Sequence, residues 1–148
     1  MDEAKRYEEL QLLALDFARY ANTDELKVML LAKLPVNLCD HKGNTLLMLS
    51  AYNGNADTTK MLIEMGADVN RKNDRGQTPL EGVCFKGYLD IAKLLVQNGA
   101  AVNGTNAIMC ASIFGNHNIV KYLTRQKTGF KTKLYLALAK FISLFKRA

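Results

Sequence analysis

The chain has 148 residues, enough for one domain with a sizeable core, and 49% hydrophobic with 23% charged residues is an ordinary globular composition. The charged opening Met1-Asp2-Glu3-Ala4-Lys5-Arg6 is unlike a secretory leader, and three widely spaced cysteines, Cys39, Cys84 and Cys110, are unlike a disulfide framework, so a cytoplasmic protein with reduced thiols is expected. The net charge of +6 is unevenly spread: residues 1–90 hold all 14 acids and sum to −3, whereas residues 91–148 hold nine bases and no acid. Such asymmetry points to an anionic partner for the last third.

A 33-residue period organises the chain, with units at about 1–37, 38–70, 71–103 and 104–126. In the first, a long charged helix is predicted over residues 2–20 and the unit closes in Asp24–Asn37. Ala21 stands where later units carry Gly54 and Gly87, and Pro35 stands at the position of Asp68. The second unit opens with Gly43-Asn44-Thr45-Leu46-Leu47, and the third answers with Gly76-Gln77-Thr78-Pro79-Leu80. Thr78-Pro79 is a helix start, a hydroxyl N-cap followed by Pro at the first helical position. Gly87 and Gly99 mark the ends of the two helices. Gly66-Ala67-Asp68-Val69-Asn70 likewise returns as Gly99-Ala100-Ala101-Val102-Asn103. In the fourth unit five residues are missing. Gly115 follows Gly87 by 28, so Asn103-Gly104-Thr105-Asn106 replaces a full turn, ahead of helices at about 107–114 and 118–124.

Residues 127–148 form a basic amphipathic segment. On a helix, Leu134, Tyr135, Leu138, Phe141, Ile142 and Phe145 share one face. The apolar run is 12 residues with Lys140 inside it, short of the roughly 20 that a bilayer requires. Such a helix is expected to cap the open end of the fourth unit. The alternative is docking on an anionic membrane or nucleic acid. A fixed period of this length means that no unit buries its own apolar face, so the units stack as a solenoid.

The block Asp40-His41-Lys42-Gly43-Asn44-Thr45-Leu46-Leu47, with Gly54, Leu62 and Gly66-Ala67-Asp68-Val69-Asn70, closely resembles the ankyrin repeat. So does Asn73-Asp74-Arg75-Gly76-Gln77-Thr78-Pro79-Leu80 with Gly87 and Gly99-Ala100. The resemblance runs over about residues 13–123. It implies an all-α solenoid of about four helix pairs with β-turn fingers. It also implies a non-catalytic, monomeric module for protein–protein interaction. Partners of such proteins meet the finger tips and the inner face of the first helices. Carried onto this chain, that face includes Arg19, Tyr20, Tyr52, Asn53, Phe85, Lys86, Ile113 and Phe114, rimmed by His41, Lys42, Arg71, Lys72 and Arg75. Aromatics beside Lys and Arg are a common hot-spot mixture.

Within the ankyrin proteins, Gly82 where most repeats carry Ala, and Phe85-Lys86 before Gly87, are similar to small bacterial members often encoded beside catalase. That likeness implies an accessory role for catalase or in haem delivery. Tyr20, Tyr52, Cys39, His41 and His117 are each able to ligate iron, but none sits in a haem-ligand spacing. No metal-site spacing, nucleophile elbow or phosphate loop is present, and His41 and His117 read as solvated.

Overall fold

A computed structural model of the protein describes residues 2–103, 105–127, 137, 138 and 140. Seven helices have bounds within it: α1 (Glu3–Arg19), α2 (Thr23–Leu31), α3 (Leu46–Tyr52), α4 (Ala56–Glu64), α5 (Pro79–Lys86), α6 (Leu89–Gln97) and α7 (Ala107–Ile113). Residues 117–127 are also helical. The helices pair in chain order. First helices pack in a row, α1 on α3 on α5 on α7, and second helices in a parallel row, α2 on α4 on α6. The result is an all-α solenoid.

Side-chain caps set the starts of α3 and α5. Thr45 accepts a hydrogen bond from the Met48 backbone N–H, and Thr78 does the same for Glu81. In α5 the Glu81 carboxylate also accepts from the Thr78 N–H, completing a capping box with Pro79 at the first helical position. The ends are set by backbone geometry. Gly87 takes φ 86°, and a Cβ there would lie 2.6 Å from Asn116 Oδ1, so no larger residue fits. The first unit makes the same two turns without glycine: Ala21 has φ 62° and Lys33 has φ 75°. Stacking imposes the turn even where the sequence lacks the residue that favours it.

The core repeats with the sequence. Leu62, Leu95 and Leu123 occupy equivalent positions and are fully buried, as are Thr58, Ile91 and Ile119. Each large apolar side chain so buried contributes roughly 1.5–3 kcal/mol. Small residues Ala18, Ala51 and Cys84 sit at equivalent positions of α1, α3 and α5 and let those helices approach.

Amide side chains join one unit to the next. Asn37 Oδ1 accepts from the Asp68 N–H, and Asn70 Oδ1, 33 residues on, accepts from the Ala101 N–H. Asn55 Nδ2 donates to the carbonyls of Ala18 and Arg19, and Asn116 Nδ2 to those of Cys84 and Phe85. Each thereby satisfies carbonyls orphaned at the end of the preceding first helix. At the equivalent position of the third unit stands Tyr88, whose ring packs over Gly54 instead.

The shortened fourth unit is held by a substitute. The Asn106 side chain makes no cap for α7. Glu81 reaches across, its second oxygen accepting from the Asn106 N–H at 2.8 Å. One buried carboxylate thus serves the starts of two helices. The expected capping helix over 127–148 lies outside the described residues except at Lys127, Ala137, Leu138 and Lys140. Leu138, assigned to the covering face, is 47% exposed.

Candidate functional site

The concave side of the stack carries a groove of about 950 Å³. Two fingers build one wall. Asp40 closes the first, its Oδ1 accepting from the Lys42 and Asn44 backbone N–H groups, each at 2.9 Å. Asn73 closes the second in the same way through Arg75 and Gln77, each at 3.0 Å. The fingers are bonded to each other. Asn73 Nδ2 donates to Asn44 Oδ1 at 2.9 Å, and the Asp74 N–H to the Lys42 carbonyl at 3.0 Å. Lys42 and Arg75 occupy equivalent positions at the tips, both exposed.

The opposite wall is the inner face of α3, α5 and α7. Three rings run along it. Tyr52 and Phe85 stand one repeat apart and stack with centroids 6.1 Å apart and planes 8° from parallel. Phe114 meets Phe85 at 4.3 Å and 73°. All three are 40–52% exposed. Lys86 Nζ lies 5.2 Å from the Tyr52 ring centroid, within cation–π range. Gly82 lies beneath Tyr52, where a Cβ would meet Tyr52 Cδ2 at 3.4 Å, an ordinary contact distance.

Charges in the groove fall into engaged and open groups. Arg19 binds Asp16 at 2.7 Å and Asp40 at 3.5 Å, tying α1 to the first finger. Burial works against the charged form of Asp40. Hydrogen bonds from the Asn44 side chain, from the backbone N–H groups of Asn44 and Lys42, and the field of His41 outweigh it and hold its carboxyl below its ordinary value. Glu81 is buried between two N–H donors. Lys42 and Arg75, by contrast, make no ion pair among the described residues.

Of the residues expected on this face, Arg19, His41, Lys42, Tyr52, Asn53, Arg75, Phe85 and Phe114 line the groove, and Lys86 covers Tyr52. Tyr20 does not reach it and is 75% exposed. Tyr20 holds the repeat position of Asn53 and Phe114, both of which line the groove, so its absence from the lining does not follow from register. Arg71 and Lys72 precede the second finger and also lie outside the lining. Asp40, Asn44, Met48, Leu49, Asn73, Gln77 and Glu81 line the groove without having been expected there. Asp40 and Asn73, 33 residues apart in the finger motif, were the available signal.

Cysteines divide by depth. Cys84 is buried and its thiol is pushed up to about 12, by burial first and then by Cys110 and Glu81. Cys110 is half-buried and lines the groove. Burial and Glu81 raise its thiol as well. Among the described residues no group of three or more His, Cys, Asp or Glu side chains is placed to hold a metal ion.

A comparison with family models matches "Ankyrin repeats", in three copies, to residues 14–106, well over half of the chain. The chain belongs to the ankyrin repeat family. Ankyrin repeats are generic modules for binding other proteins, and the family is typically non-enzymatic. No curated protein matches the chain significantly. The three matched copies end at residue 106, where α7 begins, so the fourth, shortened helix pair of this ankyrin stack lies beyond them. No helix among the described residues of this ankyrin protein is long and apolar enough to cross a membrane.

Proposed function

We propose that the chain binds another protein in the groove between the ankyrin fingers and the inner face of α3, α5 and α7. The observation that carries this reading is the run of half-exposed rings Tyr52, Phe85 and Phe114 flanked by cations. Exposed aromatics arranged in a concave surface are the anchors that interface cores use. Tyr52→Ala and Phe85→Ala each remove one anchor. Partner capture from the native host by wild-type protein should be lost with both variants, while far-UV circular dichroism stays native. A truncated hot spot costs about 2 kcal/mol or more, roughly a thirtyfold loss of affinity. Undiminished capture by both variants would overturn the reading.

A finer assignment makes the partner a catalase, with the chain acting as an accessory factor or in haem delivery. The bacterial likeness of Gly82 and Phe85-Lys86 supports it, and His41 and Tyr52 are iron-ligating side chains of the same groove. Hemin titrated into the protein should then give a sharp Soret band that saturates at a fixed stoichiometry. A spectrum matching hemin mixed with an unrelated basic protein would exclude direct haem binding.

The nine bases without an acid after Asp90 favour a second reading, a peripheral membrane or nucleic-acid contact through the C-terminal segment. It requires binding to anionic vesicles or oligonucleotides that weakens steeply with salt and disappears when residues 133–148 are deleted.

A further inference from the structure

The groove's charges, once sorted by what already engages them, specify the chemistry of its occupant. We infer that the groove takes an acidic peptide segment carrying an apolar side chain, its carboxylates at the finger tips and its apolar residue against Phe85 and Phe114. This rests on the groove being the binding face.

Three observations carry it. First, the groove's carboxylates are mostly spent. Asp40 is held by Arg19 and by three hydrogen bonds from Lys42 and Asn44, and Glu81 is buried between the Thr78 and Asn106 N–H groups. Asp74 alone stands exposed on the second finger. Lys42 and Arg75 project beside it without ion pairs among the described residues, and Lys86 adds a third cation above Tyr52. The accessible balance is therefore positive, at equivalent positions one repeat apart, which suits carboxylates spaced along one segment.

Second, the apolar end is open. The fourth unit lacks a full finger, and beside that gap Phe114 lines the groove 52% exposed, with Met109 and Ile113 exposed on α7 outside the lining. The cations belong to the second and third units, so the groove is polar at one end and apolar at the other. Its occupant needs the same polarity.

Third, the rings suit a side chain better than a nucleobase. Tyr52 and Phe85 face each other, Lys86 covers Tyr52, and Phe114 stands against Phe85. A stacking base needs an open ring face, whereas an aliphatic or aromatic side chain packs against edges.

A random peptide library displayed on phage and panned against the full chain tests this. Enriched sequences should combine Asp or Glu with Leu, Ile, Phe or Met. A synthetic peptide of the enriched sequence should bind in fluorescence anisotropy, about tenfold more weakly to Lys42→Glu/Arg75→Glu, with the loss restored when the peptide's acids are changed to Lys. Phe114→Ala should weaken the acidic peptide on the wild-type groove and the charge-reversed peptide on the Lys42→Glu/Arg75→Glu groove equally, since its effect is apolar. Enrichment of neutral or basic peptides that Phe85→Ala releases would leave the groove intact as a binding face and overturn its acidic specificity. Enriched peptides indifferent to Tyr52→Ala and Phe85→Ala would overturn both. Failure to enrich any peptide, or displacement of the bound acidic peptide by single-stranded oligothymidylate at physiological salt, would overturn the assignment of a peptide occupant.

Discussion

Ala21 and Lys33 hold left-handed conformations that cost an L-residue roughly 1–2 kcal/mol each. Their equivalents in later units are glycines, which lack that strain. Ala21→Gly and Lys33→Gly should therefore each stabilise the protein by about 0.5–1 kcal/mol, the gain partly offset by the freer unfolded chain. Chemical denaturation of each variant measures this, and a lower midpoint would contradict the geometry. Asp40 gives a pH dependence. Its carboxyl is held below the ordinary value in the folded state, so its stabilisation is present above the unfolded carboxylate range, near pH 4, and is lost as pH falls through the lower folded value. Asp40→Asn should remove that dependence. Urea midpoints of variant and wild type should differ most at neutral pH and converge in strong acid.

The helices show how far local sequence decides an element. Thr78-Pro79 and the period-33 glycines were enough to locate α5 and α6 within a residue or two, because capping and chain reversal are local chemistry. The finger wall was less legible. Asp40 and Asn73 are ordinary turn residues until both fingers are seen to close on them, and Tyr20 misled because it holds the repeat position of Phe114 yet stays outside the groove. Glu81 replaces the missing cap of α7, a contact 25 residues away that no local pattern announces. Gly82 is the most direct test of an element serving its site. Alanine there gains helix propensity and meets Tyr52 only at ordinary contact distance, 3.4 Å. Gly82→Ala should raise stability by about 0.5–1 kcal/mol. It should leave ligands of the groove bound as tightly as before, since that contact does not displace Tyr52. Thermal melts and peptide anisotropy on the same variant check both outcomes.

At the scale of the whole molecule, each helix pair touches only its neighbours, so interior pairs are held from two sides and end pairs from one. Residues 3–10 of α1 are all exposed and extend past the shorter first helices that follow. Amide hydrogen exchange should be slowest in α3 and α5 and fastest in the first two turns of α1 and in α7. Uniform protection along the chain would mean that the stack opens as one block. The repeat made this architecture readable from sequence, since a 33-residue period leaves few alternatives. It did not disclose the groove's charge balance, which depends on which ions pair across units.

The amide bridges between units act as a gauge. Asn37, Asn70 and the Asn44–Asn73 pair fix how far each repeat sits from the next and how much it turns. The Tyr52–Phe85 spacing of 6.1 Å is read off that pitch, not set by the rings themselves. Shortening or lengthening Asn37 or Asn70, neither of which lines the groove, therefore retunes the caliper that any bound segment must match.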